Sequence, residues 1–323
     1  MNTIPTTFKR IRVPFTVLGG QKYARDAKFS DVLSIVLSNR GGKIFRADVL
    51  EELDELGAGE IISVEGPGAS YDLESLARRF TSVRFLRFHE HTSLGEQVNI
   101  AIQEARNKYV FVLWNDMEIP YTSISSRLME RIIDQDVLCV VPQLQNRKGE
   151  TVPSIQAPAF FNKNLLRVIP LQPSGEIVPT LFPFDYTGIY QKERFFLTGG
   201  YDYSMKTPYW QKMDFGFRSF MWGEKIFCNP GLKVSYTGEI PSEETTPDEA
   251  YKMFFLKNLS IRFRGDYGAL PYFQFIKYLF KGGSGFISSL REFRAARKWV
   301  RINRFRFKQD AKSVTELWEV DKE

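Results

Sequence analysis

The stretch RNKYVFVLWNDMEI, residues 106–119, constrains the fold more than any other part of the chain. A near-continuous apolar run from Tyr109 to Trp114 breaks off into Asn115-Asp116-Met117-Glu118. Such a run predicts a central strand buried on both faces. Ligands in open α/β sheets sit just beyond the carboxyl ends of strands of this kind. A carboxylate there can hold Mg²⁺ or Mn²⁺ against a diphosphate, because Mg²⁺ takes one or two protein carboxylates and completes its shell with phosphate oxygens and water. Read by itself, Asp116 suits the cap of a following helix equally well.

The 323 residues allow one large α/β domain with an appendage, or two small domains. With 43% of residues hydrophobic the chain can bury a proper core, which excludes global disorder. Cys139 and Cys228 lie in apolar, strand-like settings (VLCVVP and KIFCNP), which predicts two buried free thiols in a reducing compartment. No C-x-x-C pair, Walker motif, Gly-x-Ser-x-Gly or Cys-His nucleophile signature is present. His89 and His91, the only histidines, are too few for a zinc site and read as surface or donor-loop residues. The N-terminal MNTIPTTFKRIRVPF has charge but no apolar core of signal-peptide length, and no window approaches the ~18 apolar residues of a membrane span. The expectation is a cytoplasmic protein.

Residues 1–27 read as a leader, 28–245 as an α/β domain and 246–323 as a C-terminal helical extension, basic and aromatic. Strands are predicted over 32–38, 60–65, 83–88, 109–114 and 137–141, with helices over 44–56, 71–80, 94–106 and 121–135. Strands separated by helices of about ten or more residues imply βαβ units, a mainly parallel sheet and helices on both faces. After Pro142 the pattern weakens into loops with short strands as far as residue 185. A helix over 209–222, short strands over 225–236, an acidic loop over 239–249 and a helix over 248–263 follow. The C-terminal end reads as an apolar helix over 271–280, a break at Gly282-Gly283-Ser284-Gly285 and a basic helix over 286–302.

Over roughly residues 31–240 the chain resembles the nucleotide-sugar glycosyltransferases of family 2, which have a Rossmann-like GT-A fold. LSIVLSNR is similar to the family's opening strand, and EIISVEG to its second strand, which ends in an acid. LGEQVNIAIQEARNKYVFVLWNDMEI looks like its Gly-x-x-x-Asn helix leading into the metal-site strand. FLTGGYD and DFGFRSFMWGEKI look like its Gly-Gly-Phe-Asp and Asp-x-x-x-Arg blocks. The resemblance implies inverting transfer of a sugar from a UDP- or dTDP-linked donor to a glycan or lipid-linked acceptor. A divalent cation, Mg²⁺ or Mn²⁺, would stabilise the charge that develops on the leaving diphosphate.

Carried over residue by residue, Asp116 matches the last acid of the family's Asp-x-Asp motif and becomes the expected metal ligand, while Trp114 stands at the first acid. Glu65 stands where the family places Asp against uracil or ribose; Ser38, Asn39, Gly95 and Asn99 are the other expected nucleotide-sugar contacts. Gly95 and Asn99 lie near a helix N-terminus, which favours phosphate, although Asn99 equally suits a brace for the neighbouring loop. Gly199, Gly200, Asp202 and Trp210 are expected in the acceptor and donor loop. The family's Glu-Asp pair reads Gln211-Lys212 here, so Asp214 becomes the expected catalytic base, with Asp185 and Asp202 behind it. The family's late metal-binding His is absent from KVSYTGE.

Between Lys277 and Lys308 ten Lys/Arg meet one acid, interleaved with Phe, Trp and Ile. That mixture suits an anionic membrane surface better than nucleic acid, for which no motif accompanies the charge, and a plain structural helix is the alternative. The leading expectation is therefore a cytoplasmic, peripherally membrane-associated glycosyltransferase of cell-surface polysaccharide or lipopolysaccharide synthesis. A catalytically silent sugar-nucleotide-binding partner protein is the runner-up, motivated by Trp114 and Gln211-Lys212. A nucleotidyltransferase is third, through the loose phosphate-loop likeness of Asn39-Arg40-Gly41-Gly42-Lys43.

Overall fold

The structure, a computed structural model, describes residues 13–21, 27–40, 46–68, 72–120, 124–161, 165–282 and 285–318. Chain order begins β1 (Phe15–Gly19), β2 (Phe29–Ser38), α1 (Arg46–Glu55), β3 (Ala58–Glu65), α2 (Leu73–Arg79), β4 (Val83–Phe88), α3 (Leu94–Glu104) and β5 (Tyr109–Trp114). It continues with β6 (Met117–Glu118), α4 (Ser126–Gln135), β7 (Cys139–Gln145), β8 (Ile155–Phe161), β9 (Leu165–Leu171), β10 (Val178–Pro179) and β11 (Gly188–Gln191). Then come α5 (Lys192–Thr198), α6 (Pro208–Met221), β12 (Ile226–Tyr236), α7 (Glu249–Phe254), α8 (Gln274–Gly282), α9 (Phe286–Asn303) and α10 (Ala311–Glu316).

The sheet runs β1-β4-β3-β2-β5-β11-β7-β12-β10. Its centre is parallel, with β4, β3, β2 and β5 side by side as the alternation of strands and helices requires. Every residue of β5 is buried, as its unbroken apolar run demands. Register pairs Ser38 with Trp114, so β2 and β5 end level with each other. Among the described residues, four antiparallel strands of this sheet, β1, β6, β10 and β11, depart from the simple βαβ pattern. β1, from the predicted leader, closes the outer edge on β4. β11 is inserted between β5 and β7, and β10 lies on β12. Residues 1–12 and 22–26 of the leader lie outside the described residues.

The helix after β5 starts at Ser126, where the Ser125 hydroxyl accepts from Leu128 N. Asp116 is therefore not a helix cap. Its turn leads into β6, which pairs antiparallel with the end of β12. Thr237 N and Oγ1 both donate to the Asp116 carbonyl, at 2.9 and 3.1 Å.

A second apolar cluster lies beside the sheet core. It joins Leu181 and Phe182 to Trp210, Met213, Phe217 and Met221 of α6, and to Phe254, Phe293, Val300, Phe307 and Val314 of the C-terminal helices. The segment read as an extension thus shares a core with α6. Both cysteines are buried free thiols, as expected. No described helix is long and apolar enough to cross a membrane.

Gly216 shows how closely these layers meet. A Cβ there would stand 2.3 Å from the Leu181 carbonyl oxygen and 3.0 Å from its carbon. Backbone cannot give way as a side-chain tip does. Gly216→Ala, normally favourable within a helix, is expected to lower stability by about 1–3 kcal/mol, read as a fall in the urea midpoint.

Candidate functional site

The carboxyl ends of β2, β3 and β5 meet in one rim. Ser38, buried at the end of β2, accepts from Asn115 N at 3.0 Å, and Arg40 N donates to Asn115 Oδ1 at 3.0 Å. Glu65 ends β3 with no exposed surface. Ser63 Oγ donates to its Oε1 at 2.6 Å, and Asn39 Nδ2 to its Oε2 at 3.2 Å. Ser38, Asn39, Glu65 and Asp116, predicted from separate blocks, are therefore neighbours.

Arg40 organises the centre of this rim. Its Nε lies 3.3 Å from Asp116 Oδ2, and its Nη2 pairs with Asp185 Oδ2. Its guanidinium lies over the Trp114 ring, 4.1 Å from the centroid. Trp114 also donates its indole N–H to the Asp185 carbonyl at 2.7 Å. Tyr236 OH, from the end of β12, donates to Asp185 Oδ2 at 2.9 Å. Asp185 and Tyr186 both have left-handed backbone, at φ 54° and 61°. Neither is glycine, and such strain, about 1–3 kcal/mol per residue, collects at functional sites. The turn is held by Trp114 on one carbonyl and by Tyr190 OH on the next, at 2.8 Å. Burial pushes the Asp185 carboxyl above the usual carboxylate range, although Arg40, Lys212 and Tyr236 pull the other way.

The remaining predicted residues are placed differently. Gly95 N donates to Gln211 Oε1 at 3.1 Å, and a Cβ would stand 2.3 Å from that oxygen. Its glycine character thus serves contact between α3 and α6, and its N–H already has a partner. Asn99 bridges both backbone groups of Tyr201, accepting at 2.8 Å and donating at 2.7 Å, which is the loop brace. Gly199 and Gly200 take left-handed turns at φ 90° and 66°. Asp202 is sealed against Lys257 and Ser204. Burial works against its charge, yet those partners hold its carboxyl below the usual range. Trp210 packs among Tyr209, Tyr251 and Phe254, and its indole N–H donates to Thr246 O at 3.0 Å. It is a core residue rather than an open stacking platform.

Asp214 requires a correction. Its side chain is 1% exposed, paired to Arg218 at 3.0 Å, and it accepts from Asn258 Nδ2 at 2.8 Å. Arg218 in turn donates to the carbonyls of Thr198 and Gly200. The Asp-x-x-x-Arg block is thus an internal brace for the Gly-Gly turn, and no acceptor hydroxyl reaches Asp214. The resemblance pointed to Asp214 as the next acid after Gln211-Lys212, and the segment that covers it, with Asn258, is remote in sequence.

Sequence reasoning missed Tyr236, and it named Arg40 and Lys212 without foreseeing their acid partners. Lys212 Nζ pairs with Glu243 from the acidic loop and lies 5.3 Å from the Tyr186 ring centroid. Arg40 was legible as the residue just past a strand end, in the Asn-Arg block and the loose phosphate-loop likeness, but its bond to Asp185 was not. Glu118 is exposed in β6.

The carboxylates here fit a cation only in part. Asp116 Oδ2 is on Arg40, but Oδ1 is buried with no hydrogen-bond partner among the described residues. One such oxygen can take a divalent ion whose other ligands are phosphate and water. No group of three or more His, Cys, Asp or Glu suited to a metal converges among the described residues. Any ion held here would need most of its ligands from outside these carboxylates.

No protein-family model matches the sequence, and no curated protein does. Solved structures do. GalNAc-T7 with UDP, GalNAc and Mn²⁺ is similar with TM-score 0.58 and 15% identity, over 90% of this chain and 58% of that one. S. aureus TarS 1-349 in complex with UDP-GlcNAc is similar with TM-score 0.50 and 9% identity, over 84% of this chain and 72% of that one. The fold is GT-A. This chain spans less than two thirds of the GalNAc-T7 structure, at 58% of its length. In the GT-A frame the rim of Arg40, Asp116 and Asp185 lies where a parallel sheet of this kind receives ligands.

Asp214→Asn is expected to leave Arg218 with an uncompensated buried charge and to lower stability by about 3–5 kcal/mol. The urea midpoint reads this out. An unchanged midpoint would mean that the carboxylate is not the brace described here.

Proposed function

We propose that this chain is a GT-A glycosyltransferase that moves a sugar, with inversion, from a UDP- or dTDP-linked donor to a glycan or lipid-linked acceptor in cell-surface polysaccharide or lipopolysaccharide synthesis. The observation that carries the reading is Asp116, at the end of a fully buried central strand, sharing the Arg40 guanidinium with Asp185 at the rim of the sheet. The UDP in the GalNAc-T7 structure and the UDP-GlcNAc in the TarS structure support the donor class.

The chemistry follows from the charges. Attack of the acceptor hydroxyl on the anomeric carbon breaks the bond to the diphosphate and leaves negative charge on it. Arg40, whose side chain is 26% exposed, and Lys212 are the cations placed to meet that charge once their acid partners release them. Asp116, with Asp185 beside it, would hold a divalent cation, which when bound neutralises the diphosphate further. The acceptor proton needs a base within reach. Of the three acids considered, Asp214 and Asp202 are sealed inside the molecule, while Asp185 borders Arg40 and Asp116. Asp185 accepts the proton in this reading, and its burial favours the protonated form. Asn39 stands toward the donor just past β2, with the fully buried Glu65 holding it from the end of β3.

Donor turnover with a panel of nucleotide sugars and Mn²⁺ tests the assignment. Wild type turns over one donor, and Asp116→Ala loses about 10²-fold or more. Tight binding of a donor without turnover, across a panel of glycan and lipid-extract acceptors, would favour the silent binding protein. Calorimetry tests the cation separately. Mn²⁺ alone is expected to give no saturable heat, and Mn²⁺ with UDP to bind tightly in wild type and weakly in Asp116→Ala.

A further inference from the structure

The pair α8 and α9 presents a surface that the transfer chemistry does not use. α8 is amphipathic the wrong way round for a buried helix. Gln274 and Tyr278 are buried, while Phe273, Ile276, Lys277 and Phe280 face solvent at helical spacing. Phe280 is 89% exposed, Ile276 60% and Phe273 54%, with Tyr272 beside them at 69%. The apolar row continues at the start of α9, where Phe286 is 61% and Ile287 76% exposed. Isolated exposed apolar residues are ordinary, but a contiguous group of large ones marks an interaction site.

Ile287 also heads a second row. Arg291, Arg294, Lys298 and Arg301 follow it along one exposed face of α9. Glu292, the only acid on either helix, accepts from Tyr278 OH and Ser288 Oγ and is outnumbered by the four cations of this row. The other face of the pair is fixed. Phe275 packs on Phe286 and Phe293 with ring centroids 5.8 and 5.2 Å apart, and Phe293, Ala296 and Val300 enter the second core cluster.

From this surface we infer that the α8–α9 pair docks the protein on an anionic lipid bilayer, with Phe273, Ile276, Phe280 and Ile287 entering the headgroup boundary and the α9 basic row meeting lipid phosphates. Apolar side chains on one helix with cations on the next are the two components that interfacial binding sums. A second copy of the chain fits poorly, because a symmetric contact sets a patch against itself and would bring two basic rows together. Nucleic acid would leave the exposed Phe and Ile without a partner. The inference is independent of the transfer reaction.

Truncating the C-terminal helices would remove core residues, so point variants test the inference. The full chain is sedimented with phosphatidylcholine vesicles, with and without a third of phosphatidylglycerol, at low and high salt. Binding is expected only to the mixed vesicles, and is expected to weaken with salt. Ile276→Glu/Phe280→Glu and Arg291→Glu/Arg294→Glu should each lower it tenfold or more, since each basic residue beside an anionic bilayer contributes about fivefold. Both variants change exposed residues and should keep the wild-type thermal midpoint. No binding to mixed vesicles overturns the inference, as does binding that both variants retain. A dimer in gel filtration that Ile276→Glu/Phe280→Glu dissolves would assign the surface to a second copy instead.

Discussion

One guanidinium shared between two carboxylates holds this rim together. Arg40 comes from the loop after β2, Asp116 from the end of β5, and Asp185 from the left-handed turn before β11. Without a cation between them the two acids would repel across a poorly solvated gap. Trp114 makes the arrangement possible. Its ring carries the guanidinium and its N–H fixes the Asp185 carbonyl. Where the resembling family has a metal-binding acid, this chain has a flat aromatic support for an internal cation. The strained Asp185-Tyr186 turn persists because Trp114, Tyr190 and Tyr236 hold it from several sides.

The exchange of an acid for Gln211 has a similar logic. Its Oε1 accepts from Gly95 N and from Tyr186 OH, and its Nε2 donates to the Asp202 carbonyl at 2.9 Å. A carboxylate offers acceptors only, so it would face the Asp202 carbonyl without a proton to give. An amide satisfies both kinds of neighbour in a fully buried position. Gln211 thus links α3, α6 and the strained turn. The neighbouring Asp214, Arg218 and Asn258 set pins the Gly199-Gly200 turn from the other side. Two motif positions that suggested acceptor chemistry have become the scaffold beneath the site.

What was readable in the sequence was local. The apolar run of β5 and the spacing of α3 fixed those elements within a few residues, because burial on both faces and a helical stripe each leave a periodic trace. Adjacency of Ser38, Asn39, Glu65 and Asp116 followed from strand order in a parallel sheet. What was not readable depended on contacts across long separations. Arg40 meets Asp185 across 145 positions, and Asn258 meets Asp214 across 44. No periodicity records such pairs. Asp214 was taken for a reactive acid because nothing local told that α7 and the helical turn after it would cover α6. The inserted β11 was equally silent, since a four-residue antiparallel strand that runs straight into α5 carries almost no pattern.

The charge balance of the rim bears on how a donor can enter. Asp116, Asp185 and Glu243 stand against Arg40 and Lys212, three acids to two bases. A diphosphate approaching that set as it stands meets a net negative site. Two changes make it less negative, one on donor binding and one during transfer. A divalent ion brought in on the diphosphate can add charge at the unpartnered Asp116 Oδ1. Transfer of the acceptor proton to Asp185, which its burial favours, then removes one acid and frees a guanidinium edge of Arg40 for the departing diphosphate. Both changes act at the same three side chains. Donor binding, cation binding and the protonation of Asp185 are therefore linked equilibria, and the affinity of each depends on the state of the other two.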